Sequence, residues 1–216
     1  MGIRIITSVD HDAWDAFVRE TTTSPLNRSA WLAALEASYG VPTACFLAEE
    51  DGAIVGGCPV YTTRDAQGRP RLHSLRFGLV APRADVRHAI LDAVRAHATV
   101  EGIAEAMVTS GFDPLISREV SMKRTVVLDV PRGADAAWAS LRNKTRNMVR
   151  KAERAGLGIA EGPQYLDAFY DVYAQRMLRK GVAIHSHAFF AALIEQFRGS
   201  AELIVTEHAG AVIAGM

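Results

Sequence analysis

Apolar positions recur along this chain at two spacings, and the spacings predict its elements. Over residues 10–20, Trp14, Phe17 and Val18 share one helical face behind Asp10, a capping residue. Ser29 is placed to cap a second helix, in which Trp31, Leu32, Leu35 and Tyr39 recur until Gly40 stops it. The period then changes. Two apolar runs, TACFLAEE and AIVGGCPVYTTR, flank Asp51-Gly52, a strong hairpin signal. A two-residue turn there sets Glu50 opposite Ala53, Leu47 opposite Gly56 and Cys45 opposite Cys58, with the two thiols as close neighbours. Further strands are predicted at 72–75, 104–109 and 124–130. Val86, Ile90 and Val94 mark an amphipathic helix over 84–98. One long helix is predicted over 135–155, closed by Gly156, followed by helices at 164–180 and 187–198. ELIVTEH and AVIAGM flank Ala209-Gly210 as a last hairpin.

Helices interleaved with antiparallel hairpins predict a mixed α/β (α+β) class. Asp113-Pro114 and Pro131 punctuate the middle of the chain, which suggests two domains, 1–122 and 123–216. The 216 residues are 49% hydrophobic and 22% charged, which excludes disorder for the bulk of the chain. Lys plus Arg and Asp plus Glu are 24 each, so no bulk charge drives nucleic-acid or membrane binding. No apolar run approaches the roughly 20 residues of a membrane helix, and the start lacks the pattern of a secretory signal. A cytoplasmic protein without a membrane span is expected. Two cysteines are too few for a disulfide scaffold and lack metal-ligand spacing, so reduced thiols and no metal site are expected.

Charge is local instead. In WASLRNKTRNMVRKAERAG, helical spacing places Trp138, Leu141, Thr145, Met148, Ala152 and Ala155 on one stripe, expected to be buried. Arg142, Arg146, Arg150 and Arg154 form a ridge beside it. Lys144 and Lys151 add two cations, against the single acid Glu153. Like charges at i,i+4 cost a few tenths of a kcal/mol each. Either an anion compensates them, such as a diphosphate, a nucleotide or a tRNA backbone, or carboxylates arrive from elsewhere in the fold.

The run LRNKTRNMVRKAERAGL resembles the basic helix that opens the second domain of the FemAB-like branch of the GNAT acyltransferase superfamily. WLAALEASYG with EDGAIVGGCPVY is similar to the first-domain helix and hairpin of that branch. SLRFG resembles its S-L-P-F-G turn, with Arg76 where proline is usual. FYDVYAQRMLRKGVAIHSHAFFAALIEQF resembles a helix–loop–helix of the second domain, including Arg176. The resemblance implies tandem GNAT-like domains, the second incomplete, in a bacterial acyltransferase of the cell envelope. It implies transfer of an acyl or aminoacyl group to an amine of a peptidoglycan or polysaccharide precursor. Acyl-CoA or aminoacyl-tRNA would be a co-substrate, with no cofactor permanently bound. The long heptad arm of relatives tied to tRNA is missing here.

Acyl transfer to an amine needs a neutral amine, a positioned carbonyl and donors for the oxyanion. It needs no covalent enzyme nucleophile, and the chain has no G-x-S-x-G elbow. On helical spacing Tyr173, Arg176 and Lys180 form a trio able to bind a diphosphate or carboxylate, and the resemblance favours Arg176 as a phosphate contact. With Arg142, Lys144, Arg146, Arg150 and Lys151 they are the candidate substrate-binding residues. Phe77 and Gly78 either line an acceptor groove or turn the chain. Asp113 and His185, with His187 nearby, are candidate bases. Two other readings compete: a non-catalytic module binding RNA or a phosphorylated glycan through the ridge, and a scaffold partner of a complete relative. The apolar, β-prone end GAVIAGM predicts an edge along 203–216 that a longer chain, a partner or a second copy covers.

Overall fold

A computed structural model describes residues 2–7, 11–22, 24–110 and 130–216. In chain order the elements are β1 (Arg4–Ile6), α1 (His11–Thr21), α2 (Ser29–Tyr39), β2 (Thr43–Glu50), β3 (Ala53–Arg64), β4 (Pro70–Ser74), α3 (Ala84–Val100) and β5 (Glu105–Met107). There follow α4 (Ala134–Ser140), α5 (Asn143–Arg154), β6 (Gly158–Glu161), α6 (Leu166–Arg179), α7 (His187–Gln196), β7 (Ile204–His208) and β8 (Ala211–Gly215). The class is mixed α+β. Two compact units form: Met1–Leu115 with Ala188–Arg198, and Ile116–His187 with Gly199–Met216. The expected boundary at 122/123 lies outside the described residues, as do Asp10 and residues 124–129 of the strand expected at 124–130. Residues 188–198 return to the first unit, an arrangement that no single cut in the sequence expresses.

Unit 1 is built on a five-stranded sheet, β1-β2-β3-β4-β5. Neighbours pair antiparallel, except that β5 joins β4 in parallel after the α3 crossover. Gly40 ends α2 in the left-handed region, at φ 62°, with its N–H donated to the Glu36 carbonyl. The α2 cap differs from expectation. Ser29 is the first helical residue, and its N–H (2.8 Å) and hydroxyl (3.1 Å) both donate to the Asp15 carboxylate on α1. A side chain distant in sequence thus does the work assigned to a local cap.

The β2–β3 hairpin turns at Asp51-Gly52, at φ 51° and 82°, as the sequence predicts. Its register does not follow from the turn. Glu50 opposes Ala53, but an irregularity at Ala48/Glu49 sets Leu47 opposite Gly57, Phe46 opposite Cys58 and Cys45 opposite Pro59. The expected Cys45–Cys58 pair is therefore corrected, because one extra residue on β3 turns Cys58 to the other face. The glycines show why. A Cβ at Gly56 would lie 2.7 Å from Val86 on α3, and one at Gly57 would lie 2.5 Å from the Trp14 ring on α1. Helices press on both faces at the same point, and two adjacent glycines are what fits between them. Cys58 then packs with Phe46, Val60, Val86 and Ile90, while Cys45 packs with Trp14, Val18 and Leu47. Both thiols are free and buried. Burial pushes Cys58 up to about 12 and Cys45 higher still, so neither is a nucleophile at neutral pH.

Unit 2 holds a three-stranded antiparallel sheet, β6-β7-β8. The closing turn, Ala209-Gly210, has both residues at positive φ. Helix α6 covers one face: a Cβ at Gly215 would meet the Phe169 ring at 2.6 Å, so glycine lets α6 sit close. Val205 is fully buried there. Ile159, Ile213 and Met216 are 72%, 47% and 83% exposed, and β8 is an outer strand.

The single helix expected over 135–155 is corrected. It is two helices, because Leu141 and Arg142 are extended (ψ 142° and 145°). The Ser140 hydroxyl donates to the Ala137 carbonyl (2.7 Å), a local bond that competes with helix continuation. The expected buried stripe is corrected with it. Met148 is 64% exposed, and Thr145 and Ala155 are exposed as well. Two extended residues interrupt the continuous helical period that placed these residues on one stripe with Trp138.

Candidate functional site

The basic run places six cations on α5 and its first flanking residue. Arg142 is the N-cap, and no side chain caps the helix or puts an acid in its first turn. Its opening amides and its positive dipole end therefore lie beside Arg142 and Lys144, a combination that disfavours further cations and favours an anion. Arg142, Lys144, Arg150, Lys151 and Arg154 are exposed, and Arg146 is half-buried.

The arginines are not equivalent. Arg146 donates to the Ala139 carbonyl (3.2 Å), at the end of α4, and to Asn143 Oδ1, so it spans the helix break. The Arg150 guanidinium lies 5.5 Å from the Trp138 ring centroid, and Arg154 donates to the Arg150 carbonyl (3.2 Å). Arg142, Lys144 and Lys151 have no such structural duty among the described residues. Elsewhere Arg4, Arg69, Arg71, Arg83, Arg95 and Arg198 each sit within ion-pair distance of a carboxylate. Among the described residues, none of the α5 cations does.

A second cluster surrounds the loop after α6. Tyr170 donates its hydroxyl to the His185 carbonyl (3.2 Å), and the His185 N–H donates to the Tyr173 hydroxyl (3.1 Å). Two tyrosines three residues apart on α6 thus hold the loop by its backbone. Tyr173 is turned toward this loop. Arg176 and Lys180, its expected companions, lie exposed on and just beyond the last turn of α6. His187 Nε2 lies 2.7 Å from Asp167 Oδ1, and its ring meets Tyr170 edge-on with centroids 5.2 Å apart. That contact leaves Nδ1 as the position for a lone pair. Desolvation holds the His185 imidazole below its ordinary value, so it is neutral at pH 7.

Sequence reasoning singled out His185 and His187 but missed Asp167 and Tyr170. Twenty residues separate the acid from its histidine, and nothing local links them. Phe77 and Gly78 belong to unit 1, where a tight turn follows β4. Asp113 lies outside the described residues.

The FemAB family model matches residues 103–209, which include α5 and the α6–α7 segment. The crystal structure of FemX aligns with 95% of this chain and 57% of its own, with a TM-score of 0.70 at 15% identity. At that identity the likeness is one of fold, and this chain spans little more than half of FemX. A ribosomal-protein-alanine N-acetyltransferase from Brucella melitensis biovar Abortus 2308 aligns over 60% of this chain and 100% of its own, at 12% identity and TM-score 0.43. A GNAT family acetyltransferase from Staphylococcus aureus subsp. aureus USA300_TCH1516 aligns over 58% and 100%, at 10% identity and TM-score 0.41. No curated protein matches the sequence. Among the described residues, no helix is long and apolar enough to cross a membrane, and no group of three or more His, Cys, Asp or Glu could hold a metal ion.

Proposed function

Because this chain is a FemAB-like protein, we propose that it transfers an acyl or aminoacyl group to an amine of a cell-envelope or polysaccharide precursor. In this reading, α5 holds an anionic part of that precursor. The observation that carries the proposal is the lack of carboxylate partners for the α5 cations among the described residues, beside an uncapped helix N-terminus. The competing explanation for such a ridge was compensation from within the fold. Guanidinium forks and helix-terminal amides both match phosphate oxygens.

The donor is acyl-CoA or aminoacyl-tRNA. The acceptor nitrogen attacks the donor carbonyl carbon, the carbon–sulfur or carbon–oxygen ester bond breaks, and the departing thiolate or alkoxide is protonated. The proton lost by the amine passes to a base. His187 suits this role, because Asp167 occupies its Nε2 side and leaves Nδ1 to accept the proton.

The test uses an UDP-linked muropeptide and calorimetry. Arg142→Ala with Lys151→Ala should leave the unfolding midpoint unchanged and weaken binding. A charge-assisted contact contributes about 1.5–3 kcal/mol, so tenfold or more is expected. Arg146→Ala is a poor probe, since it also loosens the α4–α5 junction. Unchanged binding and turnover in the double variant would sink the reading. Tight, steeply salt-dependent binding of RNA without turnover would favour the binding module instead.

A further inference from the structure

The turn Leu75-Arg76-Phe77-Gly78 in unit 1 is built in a way that chain reversal does not require. Phe77 has φ 56°, a left-handed conformation that costs a bulky residue about 1–3 kcal/mol. Glycine could occupy that position without strain, yet the glycine comes one residue later. There a Cβ would lie 2.7 Å from the Leu75 carbonyl oxygen, so Gly78 is needed for the close approach.

Two side chains distant in sequence hold the strained residue. The Phe77 N–H donates to Thr109 Oγ1 (2.9 Å), whose own hydroxyl donates to the Leu75 carbonyl (2.9 Å). The Phe77 carbonyl accepts from Asn27 Nδ2 (3.1 Å). Asn27 is fully buried, and its Oδ1 has no hydrogen-bond partner among the described residues. A buried unsatisfied acceptor costs stability. The lock thus accepts two penalties to keep one shape.

That shape sets the Arg76 guanidinium over the Phe77 ring, 5.2 Å from its centroid. Arg76 is exposed, and among the described residues it has no ion pair or hydrogen bond. A guanidinium held over a ring face is restrained in position and keeps N–H groups available to donate. We infer that Arg76, held over the Phe77 ring and positioned by Asn27 and Thr109, is a preformed subsite for an anionic oxygen group, a carboxylate or a phosphate. The subsite rests on unit 1 alone and does not depend on the reading of α5. Arg76 is the binding residue, and Asn27 and Thr109 are positioning residues.

The experiment uses the full chain with Arg142→Ala and Lys151→Ala already present, so that the ridge does not mask the result. Inorganic diphosphate and succinate are titrated separately, followed by NMR shifts of backbone amides around 75–78. Saturable binding of one probe is expected, and which probe binds separates phosphate from carboxylate. Adding Arg76→Ala should weaken it at least tenfold without moving the unfolding midpoint. Arg76→Lys should recover only part, because an ammonium lacks the fork. Thr109→Val, which changes no charge, should weaken binding while Arg76 is intact. Unsaturable binding of both probes, or equal affinity with and without Arg76, overturns the subsite and leaves the reading of α5 standing.

Discussion

In unit 1, α3 lies on one face of the sheet with Val86, Ile90 and Val94 against Phe46, Cys58 and Leu72. Trp14 and Val18 of α1 lie on the other face against Cys45 and Leu47. In unit 2, Phe169 and Val205 bury one face of β6-β7-β8, while Ile159, Ile213 and Met216 reach solvent. Both sheets come from the same local grammar of apolar runs and glycine turns. Among the described residues, they differ in how many faces find a partner. An amphipathic pattern shows that an element has a side to bury. It does not identify what will cover that side. Most of the burial energy of the described residues therefore sits in unit 1, at about 1.5–3 kcal/mol per large side chain.

The largest test of that contrast sets Phe46→Ala against Ile159→Ala. Phe46 is 2% exposed between two layers, and its truncation should cost about 3–5 kcal/mol in denaturant unfolding. Ile159 is 72% exposed, so its truncation should stay within about 0.5 kcal/mol. Comparable losses at both positions would show that the outer face of β6 is covered in solution.

Gly57→Ala gives the next largest effect. The added methyl would meet the Trp14 ring at 2.5 Å, and overpacking of this kind costs about 1–3 kcal/mol. Gly210→Ala, with open space at its Cβ position, places strain alone in unit 2 at φ 81°. If Gly57→Ala is harmless, the two-sided squeeze on β3 does not set the register.

The smallest effect is on pH dependence. His73 in unit 1 and His185 in unit 2 are both held below the ordinary histidine value, by burial in each case; for His73, Glu105 partly opposes this and Arg71 reinforces it. A depressed folded value means that the unfolded chain binds more protons. Each contribution is complete above about 6.5 and is lost as pH falls through the folded value. NMR titration should find both rings changing charge below pH 6.5. His73→Gln should flatten the acid limb of the unfolding profile. An unchanged acid limb would show that the Thr63 hydroxyl contact (3.0 Å) compensates for burial in both charge states.

Much of the fold was legible because it is decided within a few residues. Gly40 and Gly156 end helices through positive φ, and Asp51-Gly52 and Ala209-Gly210 turn hairpins in the same way. The α3 span and the positions of α6 and α7 follow from helical periodicity. The short strands β1 and β6 were missed, since three or four residues carry too little pattern. The basic character of α5 was plain in the sequence. The division of labour within it was not, because the helix break at Leu141 and Arg142 that engages Arg146 is marked by no glycine or proline.

The sequence by itself determined where backbone direction changes, since a glycine's access to positive φ is a property of that residue alone. It also determined the charge of the ridge and the residue types available to the proposed chemistry. The tertiary structure decided everything that needs two distant segments at once. It set the β2–β3 register, because Trp14 and Val86 press from opposite faces on Gly57 and Gly56. It brought Asp167 to His187, supplied the α2 cap from Asp15, and held Phe77 between Asn27 and Thr109. Local preferences among these alternatives differ by about 1 kcal/mol or less. Burial of a single large side chain exceeds that, so packing chose among them.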